Sequence, residues 1–187
     1  MTTTNFKKSS SFSISEFEKI ILDVIQTKST EFYQEKIHTY IHHNYDLEKY
    51  IHQNITINKK LFNLIQKTDI QKISLITEPW CLDACIILPL LRAIELINSN
   101  IKILIFPRDT NSGIMNQFLT NGSQSIPIVF VEENSEVKFR WGPRSQKAKD
   151  IITPILNEEY SIKQKALTDF YRQDLTKDIQ EEWVDLF

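Results

Sequence analysis

Apolar side chains recur at helical spacing near the start of the chain. Phe17, Ile21 and Val24 share one face of a first helix, which we expect to continue to about Thr27. The segment Ser13-Ile14-Ser15-Glu16 has the pattern of a capping box, in which the serine and the glutamate each satisfy a free backbone N–H group. The pattern therefore predicts an amphipathic helix with a defined start.

Two further helical patterns follow the first. The weaker one lies between Ser29 and Asn44 and carries Phe32 and Tyr33 among its apolar positions, and the other runs from Asp46 to Lys67. No linker composition separates these patterns from the rest of the chain. We therefore interpret residues 13–67 as an N-terminal helical extension that packs on the remainder, and not as a separate domain.

Four short segments have the length and the β-branched content of strands. They are Ile73 to Thr77, Ile101 to Phe106, Ile128 to Val131, and Glu136 to Trp141. A helical pattern joins the first two strands within about 34 residues, which predicts a right-handed parallel βαβ unit. A short polar turn joins the last two strands, which predicts an antiparallel hairpin.

The helix between the first two strands is apolar around most of its circumference. In a regular helix that begins at Cys81, a narrow stripe remains, formed by Cys81, Cys85, Leu88, Arg92, Glu95 and Ser99. Neighbouring elements must therefore cover this helix on more than one side. Because both cysteines share the stripe with charged residues, we expect both to be accessible. Pro89 should kink the helix.

The remaining segments predict three more helices. Asn111 to Thr120 is interpreted as a short helix with Asn121-Gly122 as its left-handed cap, and a further helix starts at Ser145 and runs through Ile155. The terminal segment, 166–187, is expected to be a C-terminal helix anchored by aromatic residues that include Phe187.

Composition limits the function. The chain has 187 residues, which fits a single α/β domain over 1–187 with residues 72–155 as its core. Its 22 basic and 24 acidic residues nearly cancel and form no long block, so nucleic acid is not an expected partner. With three glycines, the chain cannot form the glycine-rich phosphate loops.

No membrane association or cofactor is expected. The longest apolar run, Ala84 to Leu91, is far too short for a membrane span, and the N-terminus has no apolar signal region. Two cysteines in such a chain suggest free thiols in a reducing, cytoplasmic setting. His38 and His42 would share one helix face, but no acidic or cysteine partner stands at ligand spacing, so no metal site is predicted.

Cys81 is the candidate reactive residue. It stands where the first strand changes to a helix, and there free backbone N–H groups and the helix dipole favour a negative charge. These conditions lower the pKa of a thiol and produce the thiolate, which is the attacking form. The alternative is that Cys81 is a small buried apolar residue, as most free cysteines are.

Several separated motifs resemble the thioredoxin superfamily, in particular a thioredoxin-like branch with an N-terminal helical extension. They are Thr77-Glu78, Trp80-Cys81, Asp83-Ala84, Leu119-Thr120-Asn121-Gly122, Ser125-Ile126-Pro127 and Trp141-Gly142-Pro143-Arg144, with Pro89 eight residues after the first cysteine. The resemblance covers about residues 14–187. It implies a three-layer α/β fold of the order βαβ, α, ββ hairpin, α, with helices added at both ends.

The cysteine motif departs from that family's pattern. Cys81 falls on the attacking cysteine, but the partner position three residues later is Ala84, and the second thiol is displaced to Cys85. On a regular helix, two cysteines four residues apart could form only a strained disulfide. Asp83, a nearby negative charge, would disfavour the Cys81 thiolate.

The resemblance leaves two functions open. The first is a thiol–disulfide oxidoreductase in which Cys81 attacks a protein or small-molecule disulfide and Cys85 or an external thiol resolves the product. In that case Trp80 flanks the site, and Ile126-Pro127, through a cis peptide bond facing Cys81, offers a backbone edge to the substrate. The second is a catalytically silent module that binds an extended peptide in the same groove. The remaining alternative is that the domain is a scaffold and the Cys81 thiol is inert.

Overall fold

The computed structural model describes residues 10–27, 35–134 and 136–184. Its sheet has four strands: β1 (Lys72–Thr77), β2 (Lys102–Pro107), β3 (Ile128–Glu133) and β4 (Glu136–Trp141). The strand order is β2-β1-β3-β4, with β2 parallel to β1 and the other two neighbouring pairs antiparallel. The predicted βαβ unit and the predicted hairpin are both confirmed.

The described residues form eight α-helices around this sheet. They are α1 (Ile14–Thr27), α2 (Glu35–Asn54), α3 (Lys59–Lys67), α4 (Ile87–Ile97), α5 (Ser112–Met115), α6 (Gln146–Ile152), α7 (Tyr160–Asp174) and α8 (Lys177–Val184). Two 3-10 helices, Leu82–Ile86 and Thr153–Ile155, precede α4 and follow α6. The fold is thus the mixed α/β, thioredoxin-like architecture with extra helices that the sequence predicted.

Side chains alternate between two apolar clusters on the two faces of the sheet, because successive strand residues point to opposite sides. In β1, Leu75 belongs to the larger cluster, which includes apolar residues of α1, α2, α4 and α8. Ile76 belongs to the smaller cluster, which is closed by Ile114, Met115 and Phe118. Both faces of the sheet are therefore covered.

The start of α1 agrees with the predicted capping box. The Ser13 backbone N–H donates to the Glu16 carboxylate at 2.8 Å, and the Glu16 N–H donates to the Ser13 hydroxyl at 3.3 Å. The residue before this box, Phe12, forms an antiparallel bridge with Ile105 of β2. Phe12 thereby occupies part of the exposed edge of the sheet and ties the helical layer to it.

The boundary expected between two helices near Asn44 is wrong. Helix α2 continues through this point to Asn54, since nothing between Asn44 and Asp46 breaks a helix. The break comes later, where the Asn58 side chain accepts a hydrogen bond from the Leu61 N–H at 2.7 Å and caps α3. The predicted helical positions Phe32 and Tyr33 lie outside the described residues.

The helix predicted over Asn111 to Thr120 is shorter than expected, because α5 ends at Met115. After Ser112–Met115, residues Asn121 and Gly122 do not cap a helix but form a two-residue turn, with φ of 50° and 78°, between the paired residues Thr120 and Ser123. Asn-Gly strongly favours this turn because both positions need a positive φ.

The C-terminal helix predicted over 166–187 is two helices. They break at Leu175 and Thr176, which both have a positive φ, and the Asp174 carboxylate accepts a hydrogen bond from the backbone N–H of Asp178 at 3.1 Å. This contact caps the start of α8. The predicted anchor Phe187 lies outside the described residues.

Candidate functional site

Cys81 lies at the carboxyl end of β1, immediately before the 3-10 helix Leu82–Ile86. Its backbone N–H donates to the Glu78 carbonyl at 3.0 Å, which closes the turn around Pro79 and Trp80. Its Sγ donates to the Ile126 carbonyl oxygen at 3.6 Å, and the Ile126–Pro127 peptide bond is cis. The structure thus brings Cys81 beside the backbone edge that, by the resemblance to thioredoxins, is expected to pair with substrate.

Trp80 flanks this arrangement as a partly exposed side chain. The Arg108 guanidinium lies over its ring, 4.8 Å from the ring centroid, within the range of a cation–π contact. Arg108 also donates to Asp109 at 2.8 Å, and the backbone N–H of Asp109 donates to the Glu78 carboxylate at 2.8 Å. The loop after β2 therefore holds the indole in place.

An open cavity of about 340 Å³ adjoins the thiol, and we call it the Cys81 groove. Residues of the turn after β1, of the cis-proline segment and of α7 line it, among them Trp80, Cys81, Ile126, Arg144, Tyr160 and Lys163. A larger cavity of about 680 Å³, between Thr68–Lys72 and Val131–Asn134, lies at the other end of the sheet, and no cysteine lines it. Any reaction of the Cys81 thiol with a bound substrate would therefore take place in the Cys81 groove.

Both cysteines are buried, contrary to the expectation that both would be accessible, and Cys85 does not line the Cys81 groove. It is 2% exposed and belongs to the larger apolar cluster, whereas Cys81 is 7% exposed and belongs to the smaller one. The Cys85 Sγ donates to the Leu82 carbonyl at 2.6 Å, and both cysteines are free thiols. The predicted accessible stripe does not form, because the 3-10 helix has three residues per turn and because α2 packs directly on this 3-10 helix.

The 3-10 helix also removes the expected kink at Pro89. Helix α4 starts at Ile87, so Pro89 is its third residue. In the first turn of a helix the backbone N–H groups have no partner within the helix, and a proline there costs little. The prediction of a mid-helix kink is therefore wrong.

Burial determines the protonation state of both thiols. It raises the pKa of Cys81 to about 12, and the Asp83 carboxylate adds to this increase. The pKa of Cys85 is also raised, chiefly by burial and next by the carboxylate of Glu48. The lowered pKa expected for Cys81 is thus contradicted, because loss of water outweighs the hydrogen bonds from the backbone at the start of the 3-10 helix.

Asp83 is buried at 5% exposure and is the centre of a polar cluster that sequence reasoning missed. It accepts two hydrogen bonds from Arg144, at 3.0 and 2.7 Å, in a bidentate ion pair, and a third from the Tyr171 hydroxyl. Arg144 follows the cis Gly142–Pro143 bond in the Trp141-Gly142-Pro143-Arg144 motif. An aspartate inside an apolar segment was the available signal, since buried carboxylates need partners.

Behind the thiols lies a small inner cavity of about 10 Å³. Both cysteines line it, together with Asn44 and Glu48 of α2 and with Glu78. Among the described residues, no cluster of three or more histidine, cysteine or acidic side chains could hold a metal ion. The described part of the chain also contains no candidate membrane-spanning helix.

A family model described as Thioredoxin matches residues 30–163. The chain belongs to the thioredoxin family.

A crystal structure of PA1234, a protein of unknown function from Pseudomonas aeruginosa, is similar at a TM-score of 0.57 and 17% identity, covering 97% of this chain and 96% of that one. An HIV epitope scaffold is similar at the same TM-score and identity, over 79% of this chain and 88% of its own. No curated protein sequence matches the chain. The two structural likenesses concern the fold alone.

Proposed function

We propose that this thioredoxin-family protein exchanges thiols and disulfides, with Cys81 as the attacking residue. The observation that carries the proposal is the position of the Cys81 Sγ, 3.6 Å from the Ile126 carbonyl and on the wall of the Cys81 groove. An extended substrate chain that pairs with the backbone at Ile126 would place its disulfide against this sulfur. Protein disulfides and small-molecule disulfides both fit this chemistry.

The reaction balances as an exchange. The Cys81 thiolate attacks one sulfur of the substrate disulfide, a Cys81–substrate disulfide forms, and the other substrate sulfur leaves as a thiolate. Attack by Cys85 or by an external thiol then breaks the mixed disulfide. Trp80, held by Arg108, shields the groove on one side.

The raised pKa of Cys81 limits this chemistry. With a pKa of about 12, the thiolate is a very small fraction at neutral pH, and exchange should be slow unless substrate binding changes the environment of the thiol. The same observation favours a second candidate, a module that binds an extended peptide in the groove without reacting with it.

Covalent capture distinguishes the two functions. The Cys85→Ser protein is incubated with oxidised glutathione and with a disulfide-containing peptide, and the products are identified by mass spectrometry. We expect a mixed disulfide at Cys81, absent from the Cys81→Ser protein. If Cys81 stays unmodified while the peptide still binds, the protein is the non-reacting module.

A thiol titration after mild oxidation then defines the role of the second cysteine. Loss of both thiols in a monomer indicates a Cys81–Cys85 disulfide, whereas stable thiols again favour the binding module.

A further inference from the structure

The start of helix α7 forms one wall of the Cys81 groove. Tyr160, Lys163 and Gln164 line the groove together with Cys81. Helix α7 follows the segment that carries the four strands, so this wall is added to the part of the chain that positions the thiol. The side chains of α7 therefore contact whatever disulfide binds beside Cys81.

The charges that line the groove do not cancel. One carboxylate lines it, that of Asp83, and the bidentate contact with Arg144 neutralises this charge. Lys163 is the third charged residue of the lining, and within the described part of the chain its ammonium group has no ion-pair partner. The groove therefore carries one excess positive charge.

A backbone contact holds the Lys163 ammonium group at the groove. Its Nζ donates to the Leu156 carbonyl oxygen at 3.0 Å. An ammonium group has three donors, so two remain for a ligand. The side chain is also partly buried, and salt screens a partly buried charge less than a fully exposed one.

The acidic residues near the start of α7 do not occupy this position. Glu158 and Glu159 are exposed, and neither lines the groove. Asp169, further along the helix, pairs with Lys165 at 2.6 Å. The Lys163 charge is thus available to an anionic group of a ligand.

Much of the remaining lining is apolar. Ile152, Leu156 and Leu167 contribute to it, and the cavity volume of about 340 Å³ lies in the range of pockets that hold small ligands. A ligand that matches this lining has a short apolar part and an acidic end.

We propose that the disulfide attacked by Cys81 carries a carboxylate close to its reacting sulfur, and that Lys163 binds this carboxylate. The inference rests on the proposed thiol–disulfide exchange and adds a substrate class to it. Lys163 is then a specificity-determining residue. The carboxylate can belong to a small molecule or to an acidic residue beside a cysteine in a peptide.

The step balances without a further oxidant or reductant. The Cys81 thiol loses its proton to solvent, and the thiolate attacks the sulfur on the arm that Lys163 holds. The Cys81–sulfur bond forms as the substrate disulfide breaks, and the other half of the substrate leaves as a thiolate.

The test compares three small disulfides as substrates of the full-length Cys85→Ser protein: 3,3′-dithiodipropionate, its uncharged diamide and the cationic cystamine. Mass spectrometry follows the mixed disulfide at Cys81 at low ionic strength. Because the three disulfides differ in intrinsic reactivity, the effect of Lys163→Gln is measured for each of them. We expect this substitution to slow the dicarboxylate about fivefold, to leave the diamide unchanged and to accelerate cystamine.

Two further variants serve as controls. Lys163→Arg should retain the preference for the dicarboxylate, because it keeps the charge. Lys165→Gln, which removes an exposed cation of the same helix, should leave all three rates unchanged. High salt should reduce the difference between Lys163 and Lys163→Gln proteins.

The outcomes separate this inference from the proposed function. If Lys163→Gln changes all three rates by the same factor, or changes none of them, the charge selection is wrong and the attack by Cys81 stands. If no disulfide modifies Cys81, the proposed function fails, and the substrate class fails with it.

Two peptide disulfides that differ only in Glu or Gln beside the cysteine identify the source of the carboxylate. A preference for the Glu peptide that disappears in Lys163→Gln indicates a polypeptide substrate. A preference seen only among the small disulfides indicates a small molecule.

Discussion

Gly142 lies directly against the carbonyl group of Pro127. A Cβ atom built on Gly142 would be 2.2 Å from the Pro127 carbonyl oxygen, and the φ of Gly142 is +115°. Both the contact and the backbone conformation exclude a side chain. This glycine therefore holds the segment after β4 against the segment that carries the Ile126 edge of the Cys81 groove.

Gly142→Ala should destabilise the protein by about 2–4 kcal/mol, since it adds a positive-φ penalty to a backbone clash. Thermal unfolding measures this loss. Gly113→Ala is the matched control, because its Cβ would meet nothing within 4 Å and it lies in a helix. We expect Gly113→Ala to be neutral or slightly stabilising. Equal melting temperatures for the two variants would contradict the assigned contact.

Removing the charge of Asp83 should make Cys81 more reactive. Because the Asp83 carboxylate raises the pKa of Cys81, Asp83→Asn should lower that pKa and increase the rate of alkylation by iodoacetamide at pH 8–9. The measurement uses the Cys85→Ser background, so that one thiol is followed. A slower reaction would show that Asp83 acts on Cys81 in some other way.

Asp83 should also stabilise the folded protein, so that its removal lowers the free energy of unfolding. Asp83→Ala leaves Arg144 and Tyr171 without their shared acceptor. We expect a loss of about 2–3 kcal/mol, less than for a fully buried pair because about a third of the Arg144 side chain is exposed. Urea unfolding of Asp83→Ala and of Asp83→Asn separates the effect of lost hydrogen bonds from that of lost charge. If the wild type and Asp83→Ala are equally stable, the polar cluster around Asp83 does not stabilise the fold.

Cys81 should react before Cys85. Its sulfur is on the wall of the open groove, whereas that of Cys85 is covered by α2. Alkylation of Cys85→Ser should therefore be faster than that of Cys81→Ser at every pH. Both rates should still rise above pH 9, since burial raises both thiol pKa values. A plateau below pH 8 for Cys85→Ser would mean that the thiolate is stabilised after all.

Glu48 should make the protein less stable at alkaline pH. Its pKa is raised in the folded state from 4.5 to about 8, so its contribution is fully present below pH 4.5 and is lost as the pH rises towards 8. We expect the free energy of unfolding of Glu48→Gln to exceed that of the wild type by about 2–3 kcal/mol at pH 9, where the folded wild type holds a partly buried charge. At pH 4 the two should agree.

Urea unfolding at several pH values measures this difference. Asp46→Asn serves as the control, since that side chain is exposed on the same helix. A constant gap between Glu48→Gln and the wild type across the pH range would mean that Glu48 keeps one protonation state.

Most of the sheet follows from local sequence. Strand length and β-branched content located all four strands, and β4 runs from Glu136 to Trp141 as predicted. The capping box at Ser13 was equally readable, because its two partners are three residues apart. Helix ends were harder to predict from the sequence. Helix α2 passes Asn44 without a break, and the start of α8 is capped by the side chain of Asp174.

The sequence by itself therefore determined the order of the elements, the thioredoxin-like fold and the location of Cys81 at the end of β1. Only the tertiary structure decided the chemical state of the site. Asp83 meets Arg144 and Tyr171 from 61 and 88 residues away, and the helix that covers Cys85 comes from a distant part of the chain. Strand and helix patterns reflect interactions between near neighbours, whereas burial and charge pairing, which set the pKa of each thiol, arise only when remote segments exclude water from the same place.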